Sequence, residues 1–311
     1  MANLHPRTVA HFAETAMLNG PLIERLRRAG CPIEDQMFTW SYDKLEYYLY
    51  RETVVGELAT MDRAMLKSRE TAEFLREEWM NVLITGPTGT GKETLAKILH
   101  GYHKRGPFLS ENFAGITDTL FESKLFGHRK GSFTGAAGDK PGILEAAGDG
   151  TVFLDEIGDM KMEQQAKLLR AIGERQVTPV GSNDIIPIKC RFVCATNKDL
   201  RAMYRADPPT FRIDLFFRLA QVVISTTPLI DRADDVPLIA ARICRRRGWT
   251  AVPTEAELEH AAYAEGNGRE LENWLINWRY RLLEDGTEPA PTNIPNPPET
   301  PVVDMMDVFN L

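Results

Sequence analysis

One heptapeptide restricts the fold of this chain more than any other part of its sequence. It consists of Gly86, Pro87, Thr88, Gly89, Thr90, Gly91 and Lys92. In the spacing Gly-x-x-x-x-Gly-Lys, the glycines let the backbone curl around a phosphate group and turn its N–H groups inward. The apolar run 82–84 precedes it, and apolar residues at helical spacing follow it, namely Leu95, Ile98 and Leu99. This order predicts a strand, a phosphate-binding loop and a helix.

A second apolar run, 152–154, ends in two acidic residues, Asp155 and Glu156. In an open α/β sheet, ligands bind at the carboxyl ends of the strands, where this pair is expected to lie. Lys92 would place a positive charge on the outer phosphates of ATP. We predict that Asp155 holds Mg²⁺ and that Glu156 orients or deprotonates the attacking water, which makes the chain an ATPase.

Position 93 departs from the general phosphate-loop pattern. A Ser or Thr that contacts Mg²⁺ usually follows the lysine, whereas this chain has Glu93 there and Thr94 one residue later. Magnesium is therefore expected to depend more on Asp155, on phosphate oxygens and on water.

The organisation of the chain follows from its apolar patterns. Residues 52–225 alternate short apolar runs with amphipathic stretches, which predicts an α/β core with a parallel sheet and helices on both faces. Residues 226–284 read as a small helical subdomain, with helices over 236–247, 255–264 and 269–283. Residues 1–51 are predicted to be mostly helical, and their sequence indicates no recognisable role. The proline-rich acidic tail 285–311 is expected to be disordered.

Composition excludes several other classes of protein. The 311 residues carry a formal net charge of -7, which disfavours nucleic-acid binding through the overall field, and direct DNA binding is not evident. The four cysteines have neither metal-binding spacing nor a disulfide framework. We find no signal peptide and no apolar run long enough to cross a membrane, so the expected location is cytoplasmic.

The segment from Gly131 to Ala136 narrows the interpretation. Its residues are Gly131, Ser132, Phe133, Thr134, Gly135 and Ala136. This hexapeptide and its flanks resemble the signature loop of the AAA+ activators of sigma-54 RNA polymerase, the bacterial enhancer-binding proteins. The family usually has Ala where this chain has Ser132. Glu93, directly after Lys92, also resembles the residue that this family has at that position.

The resemblance extends from about residue 54 to about 283 and implies roles for further residues. It implies nucleotide contacts by Val55, Gly56, Asn197 and Arg269, trans-acting arginines at Arg212 and Arg218, and a switch asparagine at Asn112 that pairs with Glu156. It also implies a P-loop AAA+ fold with a helical lid, a ring that is a hexamer, and sigma-54 and RNA polymerase as partners.

Three departures and two alternatives stay open at this point. Ala264 and Glu265 replace the Trp-Pro pair that usually precedes the second sensor, Phe113 replaces a cysteine beside Asn112, and no helix-turn-helix follows residue 283. Phe133 is expected at an exposed loop tip. The alternatives are an AAA+ motor with another protein client and a nucleotide-responsive regulator that hydrolyses little ATP.

Overall fold

The computed structural model describes residues 58, 60–101, 106–249, 251–258 and 266–284. The predictions for 1–51 and for the tail 285–311 concern residues outside these ranges. Val55 and Gly56 also lie outside them.

A five-stranded sheet forms the centre of the molecule. Its strands are β1 (Val82–Thr85), β2 (Phe108–Asn112), β5 (Thr151–Asp155), β8 (Arg191–Thr196) and β9 (Val222–Ser225). They run in the order β2-β5-β8-β1-β9, and every pair is parallel. Two short antiparallel pairs lie outside the sheet: β3 (Gly127–His128) with β4 (Lys140–Pro141), and β6 (Gln176–Val177) with β7 (Ile186–Pro187).

Helices connect the strands, as parallel pairing requires. Those of the α/β part are α1 (Arg63–Phe74), α2 (Lys92–His100), α3 (Asp118–Phe126), α4 (Ile143–Ala146), α5 (Met162–Glu174), α6 (Leu200–Arg205) and α7 (Ile213–Leu219). A 3-10 turn, Ile157–Asp159, follows β5. The predicted α/β fold with a parallel sheet is confirmed.

The central strands are apolar on both faces because both faces are covered. In β8, Phe192 and Cys194 belong to the core cluster on one side, and Val193 and Ala195 belong to the cluster on the other. This alternation is the period of two that a strand imposes on its side chains. It explains why a run such as 192–195 reads as continuously apolar.

A third cluster belongs to the helical part that follows the sheet. A 3-10 segment, Leu229–Asp235, leads into α8 (Val236–Arg246), α9 (Glu255–Leu258) and α10 (Asn267–Glu284). Its buried residues include Leu229 of the 3-10 segment, Ala240 of α8 and Leu271 of α10. The observed α8 and α10 lie within two residues of their predicted bounds, and the predicted helix 255–264 is described only as far as Leu258. Among the described residues, no helix combines the length and the apolar character needed to span a bilayer.

Candidate functional site

The heptapeptide forms a tight loop between β1 and α2. Gly89 and Gly91 have φ angles of 78° and 101°, in the left-handed region that favours glycine. A Cβ atom on Gly89 would lie 2.4 Å from the carbonyl oxygen of Gly266, which leaves no room for a side chain. The N-terminus of α2 begins at Lys92, so its free N–H groups and its dipole face the loop and favour an anion.

Lys92 lies folded over its own loop. Its Nζ donates hydrogen bonds to the carbonyl oxygens of Gly86 (2.9 Å) and Pro87 (3.0 Å). Burial lowers the pKa of the Lys92 ammonium from its ordinary value, while the nearby carboxylates of Glu156 and Asp155 oppose that shift. The loop therefore holds its cation beside the two acids of β5.

The carboxyl ends of β1, β5 and β8 bring the predicted polar residues together. The Asn197 backbone N–H donates to Glu156 Oε2 at 3.2 Å, and the Asn197 side-chain amide donates to Thr88 Oγ1 at 3.2 Å. Asn197 thus contacts both the phosphate loop and the predicted water-activating acid. A shift of the phosphate loop or of Glu156 would therefore change one of these two Asn197 hydrogen bonds.

Glu156 has a strained backbone. Its φ and ψ are 52° and 45°, a left-handed conformation that non-glycine residues adopt at a cost of about 1 kcal/mol or more. Its N–H donates to Asp155 Oδ1 at 2.9 Å. The two successive carboxylates have different partners, Asn112 for Asp155 and Asn197 for Glu156, as separate roles in metal binding and water activation would require.

Asn112, at the end of β2, differs from its prediction. Its Nδ2 lies 3.4 Å from Asp155 Oδ2, and its Oδ1 accepts a hydrogen bond from the Ala114 N–H at 2.8 Å. The expected pairing with Glu156 is therefore absent among the described contacts. The register explains this, because Asn112 lies directly opposite Asp155 across the parallel pair of β2 and β5.

The donor set fits a magnesium ion that is held mostly by phosphate and water. Asp155 is half-buried at the strand end, whereas Glu93 points to the surface and pairs with Lys97 at 3.0 Å. No group of three or more His, Cys, Asp or Glu side chains suited to a metal occurs among the described residues. One carboxylate with substrate phosphates is a common arrangement for Mg²⁺, so Asp155 would hold the ion and Glu93 would not.

The helical part docks directly on the phosphate loop. Asn267 Nδ2 donates to the Thr88 carbonyl oxygen at 3.0 Å, and the Gly268 N–H donates to the Gly89 carbonyl oxygen at 3.0 Å. Arg269 follows on the exposed side of α10 and is near enough to Lys92 to lower the pKa of that lysine further. The structure therefore places Arg269 beside the loop.

Arg212 and Arg218 lie at the two ends of α7. Arg212 forms a bidentate ion pair with Asp214 (3.0 and 2.8 Å), and Arg218 is exposed. Within the described part of the chain, neither side chain bonds to the phosphate loop, to Asp155 or to Glu156. Neither arginine therefore contributes a described contact to the nucleotide site of its own chain in this structure.

The hexapeptide forms a closed loop above the β3–β4 pair. The Gly131 N–H donates to the Ala136 carbonyl oxygen at 2.9 Å, and Gly131 and Gly135 have φ angles of 79° and 103°. Thr134 and Gly135 are exposed. The loop tip is therefore Thr134-Gly135.

Phe133 is not the exposed tip residue that was expected. Its ring packs edge-on against His128, with 4.9 Å between the ring centroids, and it is half-buried. His128 is itself buried and bonded to Ser123 Oγ at 2.8 Å. Burial of an aromatic ring against a fixed imidazole outweighs its exposure to water in this conformation.

The loop stem also joins the β6–β7 hairpin. Arg129 donates its backbone N–H to the Val180 carbonyl oxygen (3.0 Å) and its guanidinium to Asp184 Oδ2 (3.0 Å). Ser132 packs so closely on Gly181 that a Cβ atom there would lie 2.6 Å from the Ser132 Cβ. The hexapeptide loop thus rests on a second loop.

A family model described as Sigma-54 interaction domain matches residues 58–225, more than half of the 311-residue chain. The chain belongs to this family. The matched residues of the Sigma-54 interaction domain include the phosphate loop, both acids, the hexapeptide, Asn197 and the two arginines of α7.

Two curated relatives illustrate the similarity. The chain is 42% identical over 214 residues to the response regulator protein PilR of Pseudomonas aeruginosa, an alignment that covers 66% of this chain and 47% of PilR. It is 36% identical over 298 residues to the C4-dicarboxylate transport transcriptional regulatory protein DctD of the same species, covering 92% of this chain and 63% of DctD. The chain therefore spans less than two thirds of either relative.

The fold of this chain is also similar to that of a solved structure. NtrX from Brucella abortus in complex with ATP has a TM-score of 0.63 and 28% identity, and the match covers 83% of this chain and 61% of NtrX. The fold is that of an AAA+ P-loop module.

Sequence reasoning missed several polar residues around the site. Asn267 was not predicted as a site residue, although its side chain donates to the Thr88 carbonyl oxygen of the phosphate loop. A buried pair, Arg232 and Asp235, also contacts this loop. The signal for Asn267 was the preceding Gly266, which often marks a close backbone approach, whereas a charged pair three residues apart on a helical segment usually lies at the surface.

Proposed function

We propose that this chain is an ATP-hydrolysing activator of transcription that remodels the closed complex of sigma-54 RNA polymerase through its hexapeptide loop. One observation carries the proposal. The phosphate loop, Asp155, Glu156 and Asn197 converge at one edge of the sheet in a chain that also carries the hexapeptide. DctD, a relative named as a transcriptional regulatory protein, supports the general role.

Hydrolysis would proceed from the groups already assembled. ATP phosphates lie on the N–H groups of the loop, and Lys92 exchanges its two carbonyl contacts for phosphate oxygens. Glu156 Oε2, oriented by the Asn197 N–H, positions the attacking water and accepts its proton. Bound Mg²⁺, held by Asp155, would neutralise charge on the phosphates.

The remaining positive charge would come from another subunit. Arg212 and Arg218 make no described contact with their own nucleotide site, and an arginine acts best where the γ-phosphoryl group loses its bond. In a ring, and we propose a hexamer, α7 of one subunit faces the site of the next. Arg212 would then have to break its bidentate ion pair with Asp214 before it could contact the γ-phosphate of the neighbouring subunit.

The nucleotide state would first change the contacts of the residues that surround the phosphate loop and Glu156. Asn197 joins Thr88 to Glu156, and Arg269 lies beside Lys92 on the lid. Asn112 lies on Asp155 here, and we propose that it exchanges this partner for Glu156 when the nucleotide changes. The hexapeptide loop, which includes exposed Thr134, then engages sigma-54.

Glu156→Gln tests the enzymatic part. We expect steady-state ATP hydrolysis to fall by about 10²–10⁴-fold, because the amide cannot accept the proton. Binding of a fluorescent ATP analogue should change less than threefold. Wild-type protein that binds ATP but hydrolyses it no faster than Glu156→Gln would instead support a nucleotide-responsive regulator.

Capture of sigma-54 tests the client. Purified wild-type chain, loaded with ADP and a phosphate transition-state analogue, should retain sigma-54, and the ADP-loaded chain should not. Robust hydrolysis without any such capture would favour an AAA+ motor with another client.

A further inference from the structure

A buried ion pair lies behind the phosphate loop and takes no part in the mechanism above. Arg232 and Asp235 belong to the 3-10 segment that leads into the lid, and their side chains are 4% and 1% exposed. Their guanidinium and carboxylate meet at 3.1 Å. Burying two charges costs free energy that a well-bonded pair only offsets, so the pair itself is weak evidence for stability.

The partners of this pair indicate its role. Arg232 donates its second terminal nitrogen to the Thr90 carbonyl oxygen at 3.2 Å and its Nε to the Thr227 carbonyl oxygen at 3.0 Å. Asp235 accepts hydrogen bonds from the Thr60 hydroxyl and from the Met61 N–H. The pair therefore joins the phosphate loop, the start of the lid and the segment that precedes α1.

The contact with Thr90 has a geometric consequence. A trans peptide is planar, and its C=O and N–H groups point to opposite edges. A cation that holds the Thr90 carbonyl on one side fixes the Gly91 N–H on the other. In loops of this spacing, such N–H groups cradle the α- and β-phosphates. Gly91 has a positive φ and no side chain, so the residue itself does little to fix this plane.

We propose that Arg232, held by Asp235, is a positioning residue that orients the Thr90–Gly91 peptide for phosphate binding. The inference rests on the proposed ATPase function and deepens it. Because the α- and β-phosphates are common to ATP and ADP, the pair should serve both nucleotides equally. Arg269, which lies beside Lys92, would by contrast favour ATP.

Two variants test this role. Arg232→Lys keeps a positive charge beside Asp235 but loses the planar fork that reaches both carbonyl oxygens. The double variant Arg232→Met with Asp235→Asn removes both charges together, so no unpaired charge stays buried. Its asparagine can still accept from Thr60 or Met61. If Arg232→Lys does not fold, the double variant carries the measurement.

Arg191→Lys is the matched control. Arg191 is also buried and also donates to main-chain carbonyl oxygens, those of Met80 (2.8 Å) and Leu99 (3.0 Å). Neither acceptor belongs to the phosphate loop. A general loss of stability would affect this control as well, whereas a positioning effect would not.

The measurements are equilibrium binding of fluorescent ATP and ADP analogues, and kcat and KM for ATP hydrolysis. We expect both Arg232 variants to raise Kd about tenfold for ATP and ADP alike, the value of one charged hydrogen bond. KM should rise with Kd, kcat should stay within about twofold, and Arg191→Lys should match the wild type.

The outcomes separate the two proposals. Wild-type chain that binds neither nucleotide overturns the proposed function and this inference with it. Wild-type chain that binds both, with unchanged Kd in folded Arg232 variants, overturns the inference alone. A loss confined to ATP also overturns it, because that would assign Arg232 to sensing the γ-phosphate.

Discussion

The nucleotide site and the hexapeptide loop belong to one chain but are held in different ways. The site lies at the ends of three central strands, and lid residues such as Asn267 and Arg232 bond directly to the phosphate loop. The hexapeptide loop has a two-residue stem, an exposed tip, and surface contacts to the β6–β7 hairpin.

This difference follows from what each region has to do. Groups that stabilise a transition state act best when they are fixed beforehand, so a rigid, buried frame suits the nucleotide site. A loop that changes position needs contacts that are few and easily exchanged, and Arg129 with Asp184 is such a pair because both side chains are well solvated. These contacts fit the proposed mechanism, in which the nucleotide site stays fixed and the hexapeptide loop moves.

The largest expected effect concerns the nucleotide site and the contribution of Arg218 to ATP hydrolysis. We expect Arg218→Ala to lower ATP hydrolysis by about 10³-fold, since a trans-acting arginine contributes on that scale. Mixing it with Lys92→Ala, which is inactive by itself, should restore part of the activity, because each supplies what the other lacks. Arg170→Ala, at an exposed position of α5, should hydrolyse ATP normally. Mixtures that stay inactive would place Arg218 outside the neighbouring site.

A medium effect concerns the frame behind the site. Burial, with the charge of Arg191 beside it, lowers the pKa of His100 to about 4. The unfolded chain, with an ordinary pKa of 6.5, takes up the proton first as pH falls. The free energy of unfolding should therefore decrease between pH 6.5 and pH 4, by up to about 2 kcal/mol at pH 5.

Urea denaturation at pH 7.5 and pH 5 of the wild type and of His100→Gln checks this expectation. Gln can keep the bond to Thr151 Oγ1 (3.0 Å) without taking up a proton. The variant should lose about 2 kcal/mol less than the wild type between the two pH values. Equal losses would show that His100 does not carry the pH dependence.

The smallest effect concerns the hexapeptide loop. Among the described residues, the Ser132 hydroxyl is buried against Gly181 without a hydrogen-bond partner. Ser132→Ala should therefore raise the free energy of unfolding by about 0.5–1 kcal/mol, measured by urea denaturation. Ser182→Ala is the control, because its hydroxyl donates to Asp184 Oδ2 at 2.8 Å and its loss should not stabilise the chain. A destabilised Ser132→Ala would contradict this reading.

The apolar and glycine patterns of the sequence predicted the frame of the nucleotide site well. Apolar runs at 82–84 and 152–154 become β1 and β5 because both faces of the sheet are covered, and glycine spacing marks the phosphate loop. Local sequence encodes these features through period and backbone freedom.

Contacts between distant segments were not predictable in this way. Asn112 lies on Asp155 because of strand register, and Phe133 packs on His128 because the stem places the two rings together. The Arg232–Asp235 pair is buried where the start of the lid meets the phosphate loop and the segment that precedes α1. Such contacts depend on tertiary structure and leave no periodic signal in the chain.

We propose above that ATP hydrolysis at the nucleotide site drives the hexapeptide loop against sigma-54 RNA polymerase. The most direct test is open-complex formation on a sigma-54 promoter, with ATP hydrolysis measured in parallel, for wild type, Thr134→Ala and Thr134→Ser. We expect Thr134→Ala to hydrolyse ATP within about twofold of wild type and to form no open complex, because the exposed tip has no role in the nucleotide site. Thr134→Ser, which keeps the hydroxyl, should retain part of the activity. Normal open-complex formation by Thr134→Ala would contradict the account.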